Sequence, residues 1–357
     1  MLAKLAVGFV VQRRWGIVAK PDHRLLISDH KGREMKVNFC ITVLACLVVV
    51  VCLPSIGSPQ GQAKLQPVSS VIGRWDLTVQ GPEGKYPSWV EIERSGRRSL
   101  VGRYVGQFGS ARPVSKVEFE QGTIRFSVPP QFENRKIDVD VEGHIEGDVL
   151  RGSLTGDNGE QLPWEARRAP KLTQEAPKSW GPPISLFNGR DLAGWKPRNS
   201  KKKNGWLVRD GILVNAEPAI DLVSERKFND FKLNAEFRFP SGSNSGLYLR
   251  GRYEVQIEDS FGQETDSHRF GGVYGYLTPS LNAAKPAGQW QLLEITLIGR
   301  QITVILNSER IIDRQTIPGI TGGALDSNEA ESGPIMIQGD HGIVEFRAVT
   351  VTPAIVE

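Results

Sequence analysis

Apolar and polar residues alternate in short runs along most of this chain. Between residues 71 and 168 eight such runs follow one another, at 72–79, 89–94, 100–106, 113–120, 123–128, 136–145, 149–156 and 162–168. A period of two sends successive side chains to opposite faces of a strand, so each run reads as a strand with one face in a core. The connections are short and polar, which favours an antiparallel meander. Eight strands close a small barrel without leaving an edge, so 71–168 is predicted to be a small antiparallel β-barrel, with a sandwich as the second arrangement. A second series of longer runs, at 230–239, 245–251, 253–259, 290–298, 301–307, 333–339 and 343–351, predicts a two-sheet sandwich over 184–357. Between the two, residues 169–183 read APKLTQEAPKSWGPP, a proline-rich stretch that cannot form the centre of a sheet and is expected to be a linker. The 38 glycines and 22 prolines agree with many strands joined by tight turns. The predicted class is all-β.

The alternation fails at the N-terminus. From Met35 the chain runs through Lys36 into an apolar stretch, 39–53, and then into PSIGSPQGQA. Fifteen apolar residues are short for a membrane span, which needs about 20, so 35–63 is read as a signal peptide with small residues at Ser55, Gly57, Gly61 and Ala63 as cleavage positions. Residues 64–70 follow as a polar linker, and 1–34 are expected to be untranslated or unstructured. The protein is therefore expected to be exported, to the periplasm, the cell envelope or the exterior, with no stable membrane span once mature. All three cysteines, Cys40, Cys46 and Cys52, lie in the apolar stretch, so no disulfide is expected in the mature protein. The net charge of +4 is matched by residues 1–34, which hold seven Lys or Arg against three Asp or Glu. The remainder is neutral, which gives no indication of a nucleic-acid partner.

Candidate chemistry concentrates in NSGLYLRGRYEVQIED, residues 244–259. Leu247, Leu249, Val255 and Ile257 lie two apart on successive strands and should share the core face. Asn244, Tyr248 and Arg250 then face the other way on the first strand, with Glu254, Gln256 and Glu258 on the second. Keeping both core sets together is expected to place Arg250 opposite Glu254, with 251–253 as the loop. Such a polar face is either a solvated surface or a ligand platform rich in carboxylate, guanidinium, amide and phenol groups.

Two resemblances add to this reading. In the first region, Gly73 to Trp75 and Arg167 or Arg168 resemble the glycine-x-tryptophan and closing arginine of lipocalin-like barrels, where a guanidinium stacks on an indole and seals one end. In the second, SLFNGRDLAGW (185–195), GWLVRDGIL (205–213), NSGLYLRGRYEVQIED (244–259) and IQGDHGIVEFR (337–347) are similar in order and spacing to the 3-keto-disaccharide hydrolase family. The match departs at Gln291 and at Ala348, where the family often has asparagine. The resemblance implies a concanavalin-like jelly roll acting on an oligosaccharide or glycoside whose sugar carries a C3 ketone. It favours the ligand platform over the solvated face. A C3 ketone acidifies the proton on C2 and opens β-elimination of the C1 substituent. The implied base is Glu254, Asp259 or a histidine, His268 or His341. Arg250 would stabilise the enolate, and His341 or Tyr274 would protonate the leaving oxygen. Asn244, Tyr248, Gln256, Trp290 and Gln338 would contact substrate. A two-carboxylate route through Glu254 and Glu258 stays open, as does a divalent metal, although no compact ligand motif such as HExxH is present. The reading from another class is a noncatalytic carbohydrate-binding or envelope scaffold protein.

Overall fold

In a computed structural model of the full chain, the residues that can be described are 67–172 and 175–355. The signal-peptide stretch and the three cysteines lie outside them. The eight alternating runs of the first region become eight antiparallel strands, β1 (Gly73–Gly81), β2 (Gly84–Ser95), β3 (Ser99–Val105), β4 (Arg112–Glu120), β5 (Thr123–Val128), β6 (Val139–Glu146), β7 (Val149–Thr155) and β8 (Gln161–Arg168). They follow one another in sequence order around a closed barrel, as a meander requires. Burial on β6 alternates at every residue, and Val139, Val141 and Ile145 point inward. Closure pairs Trp75 of β1 directly with Arg168 of β8. That register stacks the Arg168 guanidinium 3.8 Å above the Trp75 ring, while its N–H groups donate to the Ile72 and Ser70 carbonyls and seal this end of the barrel.

The second region is a sandwich. Its larger sheet contains the strands Phe231–Arg238, Gln291–Ile298, Gln301–Leu306 and Val344–Ile355. The smaller sheet runs, in spatial order, Trp195–Pro197, Leu222–Phe228, Gly333–Ile337, Asn244–Leu249, Tyr253–Glu258. Leu247, Val255 and Ile257 enter the core between the sheets with Leu233, Phe237, Leu293 and Phe346. The end of the proline-rich stretch is also used: Ser179–Trp180 and Ile184–Ser185 pair with the last strand. Pro182 and Pro183 fall between the two short bridges, where no ladder donor is needed. Apart from one three-residue 3-10 turn at Val68–Ser70, regular structure among the described residues is all strand.

Barrel and sandwich meet through buried contacts, and the described residues belong to one compact unit. Trp89 and Val105, on the outside of the barrel, join the sandwich core, and Trp89 Nε1 donates to the Ile320 carbonyl at 2.9 Å. Arg74 pairs with the fully buried Glu329. The Gly323 N–H donates to the Gln107 carbonyl at 2.8 Å.

The 244–259 hairpin keeps the predicted core face and an odd loop length, but the loop is Arg250 to Arg252, one residue earlier at each end than expected. Tyr248 therefore opposes Glu254, and Leu249 opposes Tyr253. The reason is Tyr253: its ring is fully buried in the core, so it begins the second strand instead of closing the loop. Arg250 and Gly251 reverse the chain with φ of 53° and 65°, and the Arg252 N–H closes the turn on the Leu249 carbonyl.

Candidate functional site

The outward face of the smaller sheet carries a pocket of about 320 Å³. Each of its five strands contributes to the pocket from its face or its end: Arg198 follows the first strand, Asp221 precedes the second and Gln338 follows the third. Asn244 and Tyr248 stand on the fourth, Glu254 and Gln256 on the fifth. Asp340 and His341 come from the loop before the last strand, and Tyr274 from the stretch after the hairpin. The opposite wall belongs to the barrel, through Phe108, Gly109 and Phe132.

Glu254 is at the centre of this arrangement. Only 4 % of its surface is exposed. Burial, the largest influence, pushes its carboxyl up to about 8, against the lowering effects of the Tyr248 hydrogen bond and the His341 charge. Oε2 lies 2.9 Å from the Tyr248 hydroxyl, which is also 3.0 Å from the Gly322 carbonyl. A phenol has one proton. With Glu254 protonated the chain runs from carboxyl to phenol to carbonyl, and every member is satisfied. Burial and the neighbouring carboxylate push the Tyr248 phenol well up, so it remains a neutral donor. Glu254 Oε1 has no protein hydrogen bond among the described residues. Space for this carboxyl exists because position 246 is glycine, where a Cβ would stand 2.4 Å from Oε1.

The other charges are arranged in pairs. Asp221, buried and pushed upward by desolvation, accepts from Arg198 at 3.0 Å and from the Gly339 N–H at 3.1 Å. The Arg198 guanidinium is further held by the Gly323 and Ala324 carbonyls. At the exposed rim, the Asp340 hydrogen bond raises the pKa of His341, which keeps this imidazole protonated further into the neutral range. Buried amide oxygens complete the set: among the described residues Gln256 Oε1 and Gln338 Oε1 have no hydrogen-bond partner, although Gln256 is only 2 % exposed. Buried acceptors of this kind are costly unless something binds them.

Of the residues singled out from sequence, the pocket gathers Glu254, His341, Asn244, Tyr248, Gln256, Tyr274 and Gln338. Four lie elsewhere. Arg250, in the turn, aims its guanidinium away from the pocket at the Gly299 and Glu329 carbonyls and the Tyr253 hydroxyl. Asp259 accepts from the Ser241 hydroxyl and the Gly242 N–H, each at 3.0 Å, and so closes the loop before the hairpin. His268 bonds Asp266 and stands edge-on behind Tyr274, with ring centroids 4.8 Å apart. Trp290 is stacked between Arg238 and Arg347. Glu258 pairs with Arg269 at 3.0 Å, so it is not free to partner Glu254. Sequence reasoning missed Arg198, Asp221, Asp340, Phe108 and Phe132. The two phenylalanines were visible in principle, as aromatic residues inside the polar loops GQFGS and PQFEN. As for a metal, no group of three or more His, Cys, Asp or Glu among the described residues converges to hold one. Glu254 and Asp221 are already bonded to Tyr248 and Arg198.

Comparison with known proteins bears on the second region. A 3-keto-disaccharide hydrolase of Bacteroides thetaiotaomicron is 20% identical, with 36% of this chain and 57% of that protein covered, so the match spans little more than half of the relative. A Parabacteroides distasonis crystal structure, provisionally described as a glycosyl hydrolase, shares 25% identity at a TM-score of 0.40 and covers 51% of this chain and 93% of that one. A second from the same organism gives 23% and 0.39, covering 48% and 100%. The profile of one family, described as the 3-keto-alpha-glucoside-1,2-lyase-like domain, matches residues 182–352. The C-terminal half of this chain is thus similar to that family.

Proposed function

We propose that the protein cleaves the glycosidic bond of 3-keto-glycosides, with Glu254 as the base that removes the proton from C2. The observation that carries this reading is the Glu254 carboxyl itself: buried, with a pKa of about 8, and with Oε1 free toward a pocket lined by amide, phenol, carboxylate and imidazole groups. A base whose pKa lies near the working pH combines a useful ionised fraction with a strong pull on the proton. The electrons of the C2–H bond pass to the C3 carbonyl and form an enolate. Their return forms the C1–C2 double bond and expels the C1 oxygen. The leaving oxygen takes its proton from His341, whose pKa the Asp340 hydrogen bond raises. The side-chain amides of Gln256 and Gln338 supply N–H donors for the enolate and the sugar hydroxyls, while Tyr248, held neutral, keeps the Glu254 carboxyl in place. Addition of water to the double bond by the reverse path would give net hydrolysis.

The description of the matching family as lyase-like and the hydrolase name of the Bacteroides relative fit these two halves of one pathway. The test is to incubate the protein with 3-keto-glycosides and their unoxidised parents. Turnover of the keto compounds alone is expected, with exchange of the C2 proton for deuterium. Cleavage of the parents at equal rate, without exchange, would replace this reading with ordinary glycoside hydrolysis. Binding without any turnover would leave a carbohydrate-holding protein. We further propose that the protein works outside the cytoplasm, as the signal-peptide stretch at 35–63 suggests. N-terminal sequencing of extracytoplasmic material should find the chain beginning after Gly57 or Ala63.

A further inference from the structure

We propose that the mouth of the N-terminal barrel is the second half of the substrate cleft, and that it receives the sugar ring attached to C1 of the ring held at Glu254. The proposal rests on the functional reading above for the position of the first ring. A second cavity of about 210 Å³ opens at the barrel end, and Phe108 and Phe132 line both it and the Glu254 pocket. The two cavities thus share an aromatic partition.

Both rings are more than half exposed, at 53 % and 60 %, and they stand together at one place instead of being scattered singly over the surface. The loops that carry them are nevertheless pinned. Ser110 and Gln131 exchange two hydrogen bonds, at 3.1 and 2.9 Å, between the two loops. Arg112 ties the Pro129 carbonyl and the Glu133 carboxylate together, each at 2.8 Å. The sandwich fixes the first loop from the other side through the bond between Gly323 and Gln107. Gly322 meets the backbone of Gly109 so closely that a Cβ there would lie 2.4 Å from the Gly109 oxygen. Rings held in this way pay little ordering entropy when a ligand covers them.

The chemistry beyond the partition suits a pyranose. Its C–H faces can cover the phenyl rings, and its hydroxyls can reach Tyr86, Glu133, Asn158 and Glu160 on the far wall. A small leaving group would touch none of these.

The experiment compares Phe108→Ala/Phe132→Ala and Phe132→Tyr with wild type, all as full chains that melt cooperatively. Two readouts are taken: kcat/KM for 3-keto-glucosides bearing a sugar, a phenyl or a methyl group at C1, and equilibrium binding of the unoxidised disaccharide and methyl glycoside. Wild type is expected to prefer the disaccharide. The double variant should lose about 10-fold of that preference in both readouts, and Phe132→Tyr should retain it. An unchanged disaccharide-to-methyl ratio in the double variant would overturn the proposal, as would a phenyl group gaining as much as the sugar. Failure of wild type to turn over any keto-glycoside would remove the proposed reaction, while the binding ratio would still decide whether the barrel mouth holds a ring.

Discussion

The hairpin 244–259 feeds two buried polar clusters that share shifted pKa values and differ in kind. At its turn, Arg250 is joined by Tyr253, Glu329, Arg74, Asp76 and Arg300 where barrel meets sandwich. Burial pushes Asp76 up to about 6 and pulls Arg250 down. A few residues along, Glu254 and Asp221 are pushed up by the same cause. The turn cluster, however, turns its acceptors on itself: the Tyr253 hydroxyl donates to Glu329 at 2.7 Å, the Arg250 guanidinium is taken up by backbone carbonyls, and what is left without a hydrogen-bond partner among the described residues is a set of donors, the Nε groups of Arg74, Arg250 and Arg300. Among the described residues the Glu254 cluster instead leaves acceptors, Glu254 Oε1 and two amide oxygens, without hydrogen-bond partners beside an open cavity. Shifted pKa values thus mark buried charge in general. A reactive site is distinguished by an acceptor left free toward a cavity.

The largest test of this difference is Glu254→Gln, which keeps the volume and a hydrogen bond to Tyr248 but removes the base. Turnover of a 3-keto-glycoside should fall by about 100-fold or more, measured at saturating substrate. Retention of turnover would move the base elsewhere.

Next comes the pH dependence of stability. Glu254 has a folded pKa of about 8 against 4.5 for the free group, so the folded state holds the proton more tightly. Its stabilising contribution is full below pH 4.5 and is lost as pH rises through 8, by on the order of 5 kcal/mol in the limit. The melting temperature of Glu254→Gln should therefore gain on wild type from pH 5 to 8 and run parallel above that. A constant gap across this range would mean that the carboxyl titrates normally.

Arg250→Met probes the turn cluster. It strands the Gly299 and Glu329 carbonyls and should cost about 3 kcal/mol in chemical denaturation, because buried partners are left unpaired. Its kcat/KM per folded molecule should stay within about threefold of wild type, since a turn residue facing away from the pocket touches no substrate. A 100-fold loss in turnover with unchanged stability would reverse the assignment of the two clusters.

The smallest effect is expected for Trp290→Leu. Its ring stacks between Arg238 and Arg347 away from the pocket, so the loss should be a stability change of about 1 kcal/mol from the stacking pairs and less than a twofold change in kcat/KM.

Much of this protein could be read in its alternation of residues. Eight strands and their order in the barrel follow from runs joined by short turns, and the Arg168 cap on Trp75 follows from the register that closes them. In the sandwich, period-two geometry placed Tyr248, Glu254 and Gln256 on one face and their apolar neighbours on the other, as the pairing shows. The loop position resisted because Tyr253 reads equally as a turn aromatic or a core residue, and only its packing against the opposite sheet distinguishes them. Arg250 shared the parity of the polar face, but a residue in a turn is released from the strand's alternation.

Local order along the chain therefore determined which segments are strands and which side chains share a face, because both are set by neighbours one or two residues away. Tertiary structure alone decided which polar face is covered, which charges meet and where the cavity lies. Arg198 and Asp221 are separated by 23 residues and meet only because their strand ends are neighbours in the sheet. Phe108 and Phe132 reach the pocket from another sheet altogether. The high pKa of Glu254 has the same origin, since desolvation comes from surfaces brought over the carboxyl by folding and not from the residues beside it in the chain.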